Sequence, residues 1–312
     1  MNKLLLAALL TGALASSAYA ADYTIMAPAS PGGGWDQTAR TMQDALQTEG
    51  ISGNVQVTNV PGAGGTIGLA QFANQFNANP DALIVGGYVM VGAVLTNQSP
   101  VSLANVTPIA RLTGESDVIV VPANSELKTM DDLVAKLKAE PGSVAWAGGS
   151  AGGVDHIAAG LIAKAVGVDP TMVNYIAYSG GGEALAAVLG GQVTVGISGA
   201  GEFAAQIEAG DLRALAVTGD EPVGDIPTLK ASGVDVVVQN WRMVAAAPGI
   251  TAEQKAAINA DIEKMVKSNT WTTALATKGW VDTYLAGDAF DAQLTKDIES
   301  TEAILKDIGL VQ

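Results

Sequence analysis

Ser30-Pro31-Gly32-Gly33-Gly34-Trp35-Asp36 lies between a run that reads as a strand, 22–27, and a run that reads as a helix, 35–49. Glycine weakens the interior of either element, so three in a row mark the turn that joins them. The same order returns three times. Pro61-Gly62-Ala63-Gly64-Gly65-Thr66 follows a strand at 55–58 and opens a helix at 66–74. Gly148-Gly149-Ser150-Ala151-Gly152-Gly153 joins 144–147 to a helix at 156–166, and Ser179-Gly180-Gly181-Gly182-Glu183 joins 173–177 to one at 183–189. Such units predict an α/β fold of mostly parallel sheets covered on both faces by helices.

Working outward, further strands read at 83–87, 193–197 and 212–217, and a strand pair at 106–112 and 118–121 is linked by Thr113-Gly114. Thr129 with Asp132, and Thr251 with Gln254, have capping-box spacing and open helices running to 140 and 267. Helices are also expected at 202–209, 271–277 and 288–305. Roughly ten strands exceed one compact sheet, so two domains are expected. The first takes 21–121 with 240–312 and the second 122–239. The chain should cross near Pro122-Ala123-Asn124 and again in 219–233, where Pro222, Gly224, Pro227 and Gly233 interrupt the apolar pattern. The C-terminal helices, lacking strands of their own, should pack back on the first domain, leaving a hinged cleft between the two.

Composition narrows the function. The chain has 312 residues, 16 basic and 31 acidic, for a net charge of -15. That balance offers no electropositive footprint for nucleic acid. Zero cysteines exclude disulfides, thiol catalysis and a lipid-modified cysteine, and a single histidine, His156, is too few for a His-rich metal site. Lys3, the apolar run 4–14 and Ala18-Tyr19-Ala20 read as a cleavable signal peptide over 1–20, so a secreted, periplasmic protein is expected. No later stretch reaches membrane-spanning length.

In open α/β sheets, ligands gather where strands end and helices begin. A glycine turn bares backbone N–H groups, and the following helix adds unpaired amides and a positive dipole end. That makes an anion site without basic side chains, in a protein with only four arginines, Arg40, Arg111, Arg213 and Arg242. Hydroxyls on Ser30, Thr66, Ser150 and Ser179 add neutral donors. A small carboxylate is the expected ligand. Tyr88 and Tyr178 end strands, where a phenol can reach a ligand. Trp35 reads either as an apolar lid or as core, and Trp241, Trp271 and Trp280 as packing residues.

Enzyme motifs fail on inspection. There is no G-x-G-x-x-G and no phosphate-binding G-x-x-x-x-G-K. Gly148-Gly149-Ser150-Ala151-Gly152 fits G-x-S-x-G, but its histidine would be His156, six residues on, against the usual order of Ser, acid and distant His. Asp155-His156 reads instead as a helix start, and Asp131-Asp132 as a helix first turn. No catalytic residue, metal or cofactor is expected, with a secreted serine hydrolase as the alternative from another class.

The runs 27–36 and 59–66, Tyr178-Ser179-Gly180-Gly181-Gly182-Glu183-Ala184, Gly190-Gly191-Gln192-Val193 and Leu212-Arg213-Ala214-Leu215-Ala216-Val217 together resemble the extracytoplasmic solute receptors of tripartite tricarboxylate transporters. The resemblance spans nearly the whole chain after residue 20. It implies a two-domain, type II-like periplasmic binding fold that closes as a Venus flytrap on a carboxylate. Citrate or a related tri- or dicarboxylate is the implied ligand. A permease of one large and one small membrane subunit is the implied partner, and the receptor itself is expected to be a monomer. Carried over, the ligand contacts fall on Ser30, Gly33, Gly34, Trp35, Asp36, Gly65 and Thr66 in the first domain, and on Ser150, Gly181 and Gly182 in the second. Val60 stands where many relatives place an arginine. A receptor feeding a signalling partner is the alternative within binding proteins.

Overall fold

The computed structural model describes residues 22–312, so the expected signal peptide lies outside the described residues. The chain runs β1 Tyr23–Ala27, α1 Gly34–Thr48, β2 Val55–Asn59, α2 Thr66–Gln75, β3 Ala82–Gly87, α3 Tyr88–Thr96, β4 Thr107–Glu115 and β5 Asp117–Pro122. It continues through α4 Met130–Ala139, β6 Ala145–Gly148, α5 Val154–Ala165, β7 Asn174–Ala177, α6 Gly181–Leu189, β8 Val195–Gly199, α7 Ala200–Ala209 and β9 Leu212–Val217. It ends with β10 Asn240–Ala246, α8 Ala252–Val266, α9 Asn269–Lys278, β11 Val281–Ala286 and α10 Gly287–Asp307.

Local sequence explains most of these elements. In α1, Trp35, Ala39, Met42, Ala45 and Leu46 recur at helical spacing and are buried. Both capping boxes form: the Thr129 hydroxyl accepts from the Asp132 amide at 3.2 Å, and that of Thr251 from the Gln254 amide at 3.2 Å. β3 is buried at every position, as a central strand must be.

Two sheets result, ordered β11-β4-β10-β3-β1-β2 and β7-β6-β8-β5-β9. They are mixed, not mostly parallel. β1, β2 and β3 pair in parallel, as do β6, β7 and β8, but β10 runs antiparallel between β3 and β4, and β5 antiparallel between β8 and β9. The physical reason is the route of the chain. β5 and β10 each enter a sheet directly from the other one, without the helical crossover that parallel pairing needs.

The strands expected at 106–112 and 118–121 therefore do not share a sheet. β4 stays in the first, β5 begins the second, and the chain passes between them at Ser116. The return passes through 218–239, where Leu229, Val234, Val236 and Val238 pack into the second domain's core. The C-terminal segment also contains a strand, β11, which the sequence reading did not assign and none of whose residues is fully buried. Its last helix also reaches further than the first domain. Phe290 and Leu294 of α10 join the first core, while Leu305 and Ile308 pack on Ile157 of α5, and Lys164 pairs with Asp307. α3, a segment to which the sequence reading assigned no element, lies against the second domain. Its Thr96 hydroxyl donates to the Ala151 carbonyl at 3.3 Å, and a Cβ on Gly92 would collide with the Gly152 carbonyl oxygen.

Candidate functional site

The glycine turns converge on one cavity of about 510 Å³ between the two sheets. Ser30, Gly33, Gly34, Trp35 and Gly65 line it from the first domain, and Ser150, Gly181 and Gly182 from the second.

On the first wall, Gly33 precedes α1 without any side-chain cap, so the first-turn amides have no partner within the helix. The turn is held from beneath. Asp36 accepts from the Gly32 amide at 2.8 Å, from Arg40 Nε at 3.0 Å and from Asn59 Nδ2 at 2.8 Å. Burial pushes the Asp36 carboxyl upward, but these donors outweigh it and leave the group below its ordinary range. Asp36 is thus a support of the loop and does not line the cavity. In the second turn, residues 62–65 all carry positive φ: Gly62 128°, Ala63 49°, Gly64 61° and Gly65 87°. This left-handed stretch favours glycine, and Gly65 also presses on the Trp35 ring, whose Cζ3 would lie 2.6 Å from an added Cβ. Trp35 is therefore both core and cavity lining. Thr66 turns its hydroxyl back to the Ala63 carbonyl at 2.9 Å and does not line the cavity.

The second wall differs. Asp155 accepts from the Gly149 amide at 2.6 Å, Glu183 from the Ser179 amide at 3.0 Å, and Glu202 from the Ser198 hydroxyl. All three carboxylates line the cavity. The Glu202 carboxylate lies against Gly181, at the start of α6, leaving no room there for a Cβ. The protein's own acids thus occupy turns that sequence reasoning reserved for an external anion. Tyr178 packs into the second domain, and Tyr88 stacks on Trp241 at 6.2 Å, so neither lines the cavity. Burial pushes the Tyr88 phenol up to about 12.

Where the walls meet, Glu115 at the end of β4 is ion-paired with Arg242 of β10, and both are buried. Trp280 Nε1 donates to Glu115 at 3.1 Å, and the Arg242 guanidinium lies 4.9 Å from the Trp280 ring centroid. Burial raises the Glu115 carboxyl despite the pull of Arg242. Asp117 and Asp155 are raised as well, by burial first and then by neighbouring acids, Glu202 and Glu115 among them. The sequence reading missed Glu115, Asp117, Asn240 and Arg242, and gave Asp155 and Glu202 no site role. The available signal was charge inside apolar strand runs: Arg242 sits between Trp241 and Met243, and Glu115-Ser116-Asp117 between two strands.

No serine–histidine couple assembles. The His156 ring stacks on Tyr175 at 4.1 Å, its Nδ1 accepts from the Gly152 amide at 3.2 Å, and it does not line the cavity. Burial lowers its pKa to about 4, so the ring is neutral. Among the described residues no cluster could hold a metal ion, and no helix is long and apolar enough to cross a membrane.

The model of the tripartite tricarboxylate transporter family receptors matches residues 38–310. Protein BugT of Bordetella pertussis is 27% identical over 300 residues, 91% of this chain and 88% of that protein. The periplasmic binding protein BugD has the same fold, with a TM-score of 0.83 at 20% identity over 93% of this chain and 98% of that one. MatC of Rhodopseudomonas palustris, solved with bound malate, gives 0.79 at 21% identity over 91% and 98%. A second R. palustris protein, solved with adipate, gives 0.83 at 21% over 92% and 97%.

Proposed function

The chain belongs to the tripartite tricarboxylate transporter receptor family, and from that premise we propose that it captures a small organic carboxylate in its interdomain cleft and delivers it to a permease of one large and one small membrane subunit. The family and its structural neighbours are periplasmic solute-binding proteins, not enzymes. Export through the signal peptide at 1–20 would place this receptor in the same compartment.

The observation that carries the reading is the first wall. The uncapped start of α1, at Gly34 and Trp35, faces the cavity beside Ser30 and the turn at 62–65. Unpaired helix amides are donors for a carboxylate. The Gly34 and Trp35 amides would hold one end of the ligand, while Gly33 and Gly65, whose own amides bond the Ser30 and Gly62 carbonyls, shape the turns around it. Ser150, Gly181 and Gly182 would meet the far end when the domains close. Malate and adipate in the two neighbours are acids of suitable size.

Thermal shift followed by calorimetry tests this, over a panel running from citrate and other tri- and dicarboxylates to monocarboxylates, each against its neutral amide. At about 100 times Kd a ligand should stabilise the protein by about 2.7 kcal/mol. Acid and amide binding equally would overturn the carboxylate reading.

A further inference from the structure

Asp117 opens β5 at the seam between the domains and is fully buried. Its Oδ1 accepts from Asn240 Nδ2 at 3.5 Å, and its Oδ2 has no hydrogen-bond partner. The Asp155 carboxyl, in the first turn of α5, stands within hydrogen-bonding reach of it. Asp155 accepts from the Gly149 amide at 2.6 Å and lines the cavity.

Two carboxylates in that contact offer each other acceptors only. One proton between them makes the contact a hydrogen bond and removes a repulsion that a buried site screens poorly. No cation takes that part. The groups around the pair are Glu115 of β4, Glu202 of α7 and Tyr175 of β7, with Arg242 of β10 beyond Glu115. Arg242 is engaged by Glu115, and the Tyr175 hydroxyl donates to the Gly149 carbonyl at 2.8 Å. His156, stacked on Tyr175, is neutral. Among the described residues neither Asp117 nor Asp155 is ion-paired. Burial above all raises both carboxyls, and Glu115 and Glu202 add to it. An anion entering the cleft, where Glu183 and Glu202 also face the cavity, would add one more negative charge beside Asp155.

We propose that Asp117 and Asp155 form a proton site at the base of the cleft: the pair shares one proton when the cleft is empty and takes a second, onto Asp155, when an anionic ligand binds. Asp117, sealed from solvent, keeps the first. The second comes from solvent and ends on a carboxylate oxygen of Asp155, cancelling one charge as the ligand brings its own. The second proton rests on the carboxylate reading of the cleft; the first does not.

Infrared spectroscopy of the ligand-free protein above neutral pH should show a protonated carboxyl band that Asp117→Asn removes and Asp155→Asn shifts. No such band, or one that either folded variant leaves unmoved, overturns the proposal. Calorimetry then follows whichever of citrate, malate, succinate and adipate binds, in two buffers of different ionisation enthalpy. About one proton should be taken up per ligand, and affinity should fall as pH rises, by up to about tenfold per pH unit. Asp155→Asn should bring the proton count close to zero and flatten that dependence. No uptake by the wild type, or uptake that persists in folded Asp155→Asn, overturns the proposal and leaves the carboxylate reading intact. If that variant does not fold, the infrared difference on adding isotope-labelled ligand decides: a new acid band must belong to the protein, and one that carries the label overturns the proposal. If no acid of the panel binds, the carboxylate reading falls and the second proton with it.

Discussion

The walls of the cleft are built alike and behave differently. Each consists of glycine turns between a strand and a helix, and each helix begins without a side-chain cap at its N-cap residue. On the first wall, the acid that serves the turn, Asp36, is tucked beneath it and neutralised by Arg40. On the second, Asp155, Glu183 and Glu202 face the cavity, and among the described residues none of them has a cation partner. A glycine turn at a helix start is thus an anion site only while no carboxylate of the protein fills it. That condition depends on which neighbours the fold brings up: Glu202 reaches the start of α6 from α7, the following helix.

The largest expected effect lies where the walls join. Glu115→Ala strands the buried Arg242 charge and should lower the unfolding free energy by about 3–5 kcal/mol, read in urea titrations followed by tryptophan fluorescence. A loss below about 1 kcal/mol would mean that water or another acid compensates Arg242.

Next comes a pair of alanine substitutions, one per wall. At Gly34 an added Cβ would lie 3.0 Å from Arg242 Cζ, whereas at Gly182 nothing lies within 4 Å. Gly34→Ala should destabilise by about 1–3 kcal/mol through overpacking and weaken ligand binding. Gly182→Ala, in a helical position with free space, should stabilise by about 0.5–1 kcal/mol. Equal effects in thermal melts would erase the distinction between the two turns.

Ser150 faces Gly64 across the cleft, its Cβ 3.3 Å from where a Cβ on Gly64 would lie. Ser150→Ala should cost about 0.5–1.5 kcal/mol of binding, one neutral hydrogen bond, while a hydrolase would lose its turnover altogether. Calorimetry and an ester turnover assay on the same variant separate the two outcomes.

The smallest effect is on the pH profile. Burial lowers His156 from 6.5 to about 4, so the unfolded chain binds the proton more readily in that window. Stability contributed by neutral His156 is present above 6.5 and is lost as pH falls toward about 4. The raised Asp117–Asp155 pair acts in the opposite sense, losing stability as pH rises. The difference between wild type and His156→Gln isolates the histidine. It should favour wild type less at lower pH, and parallel curves would contradict a buried neutral ring.

Much of this molecule is written in local pattern. The four strand–glycine–helix units, both capping boxes and the α/β class follow from spacing and φ preference, which neighbouring residues settle among themselves. The turns at 30–36, 62–66, 149–153 and 179–183 could be placed on a cleft because strand ends collect ligands. Sheet order was beyond such reasoning. β10 enters between β3 and β4 because hydrogen-bonding edges far apart in sequence pair there, and no local signal encodes that. The same long-range pairing brings Arg242 to Glu115, 127 positions away, and so sets the charge at the base of the cleft. Burial then shifts Asp117, Asp155 and His156, because desolvation depends on what surrounds a group and not on its neighbours in the chain. Residue types and turns were legible one segment at a time; the polarity of the site arises only when both walls and the seam between them share one space.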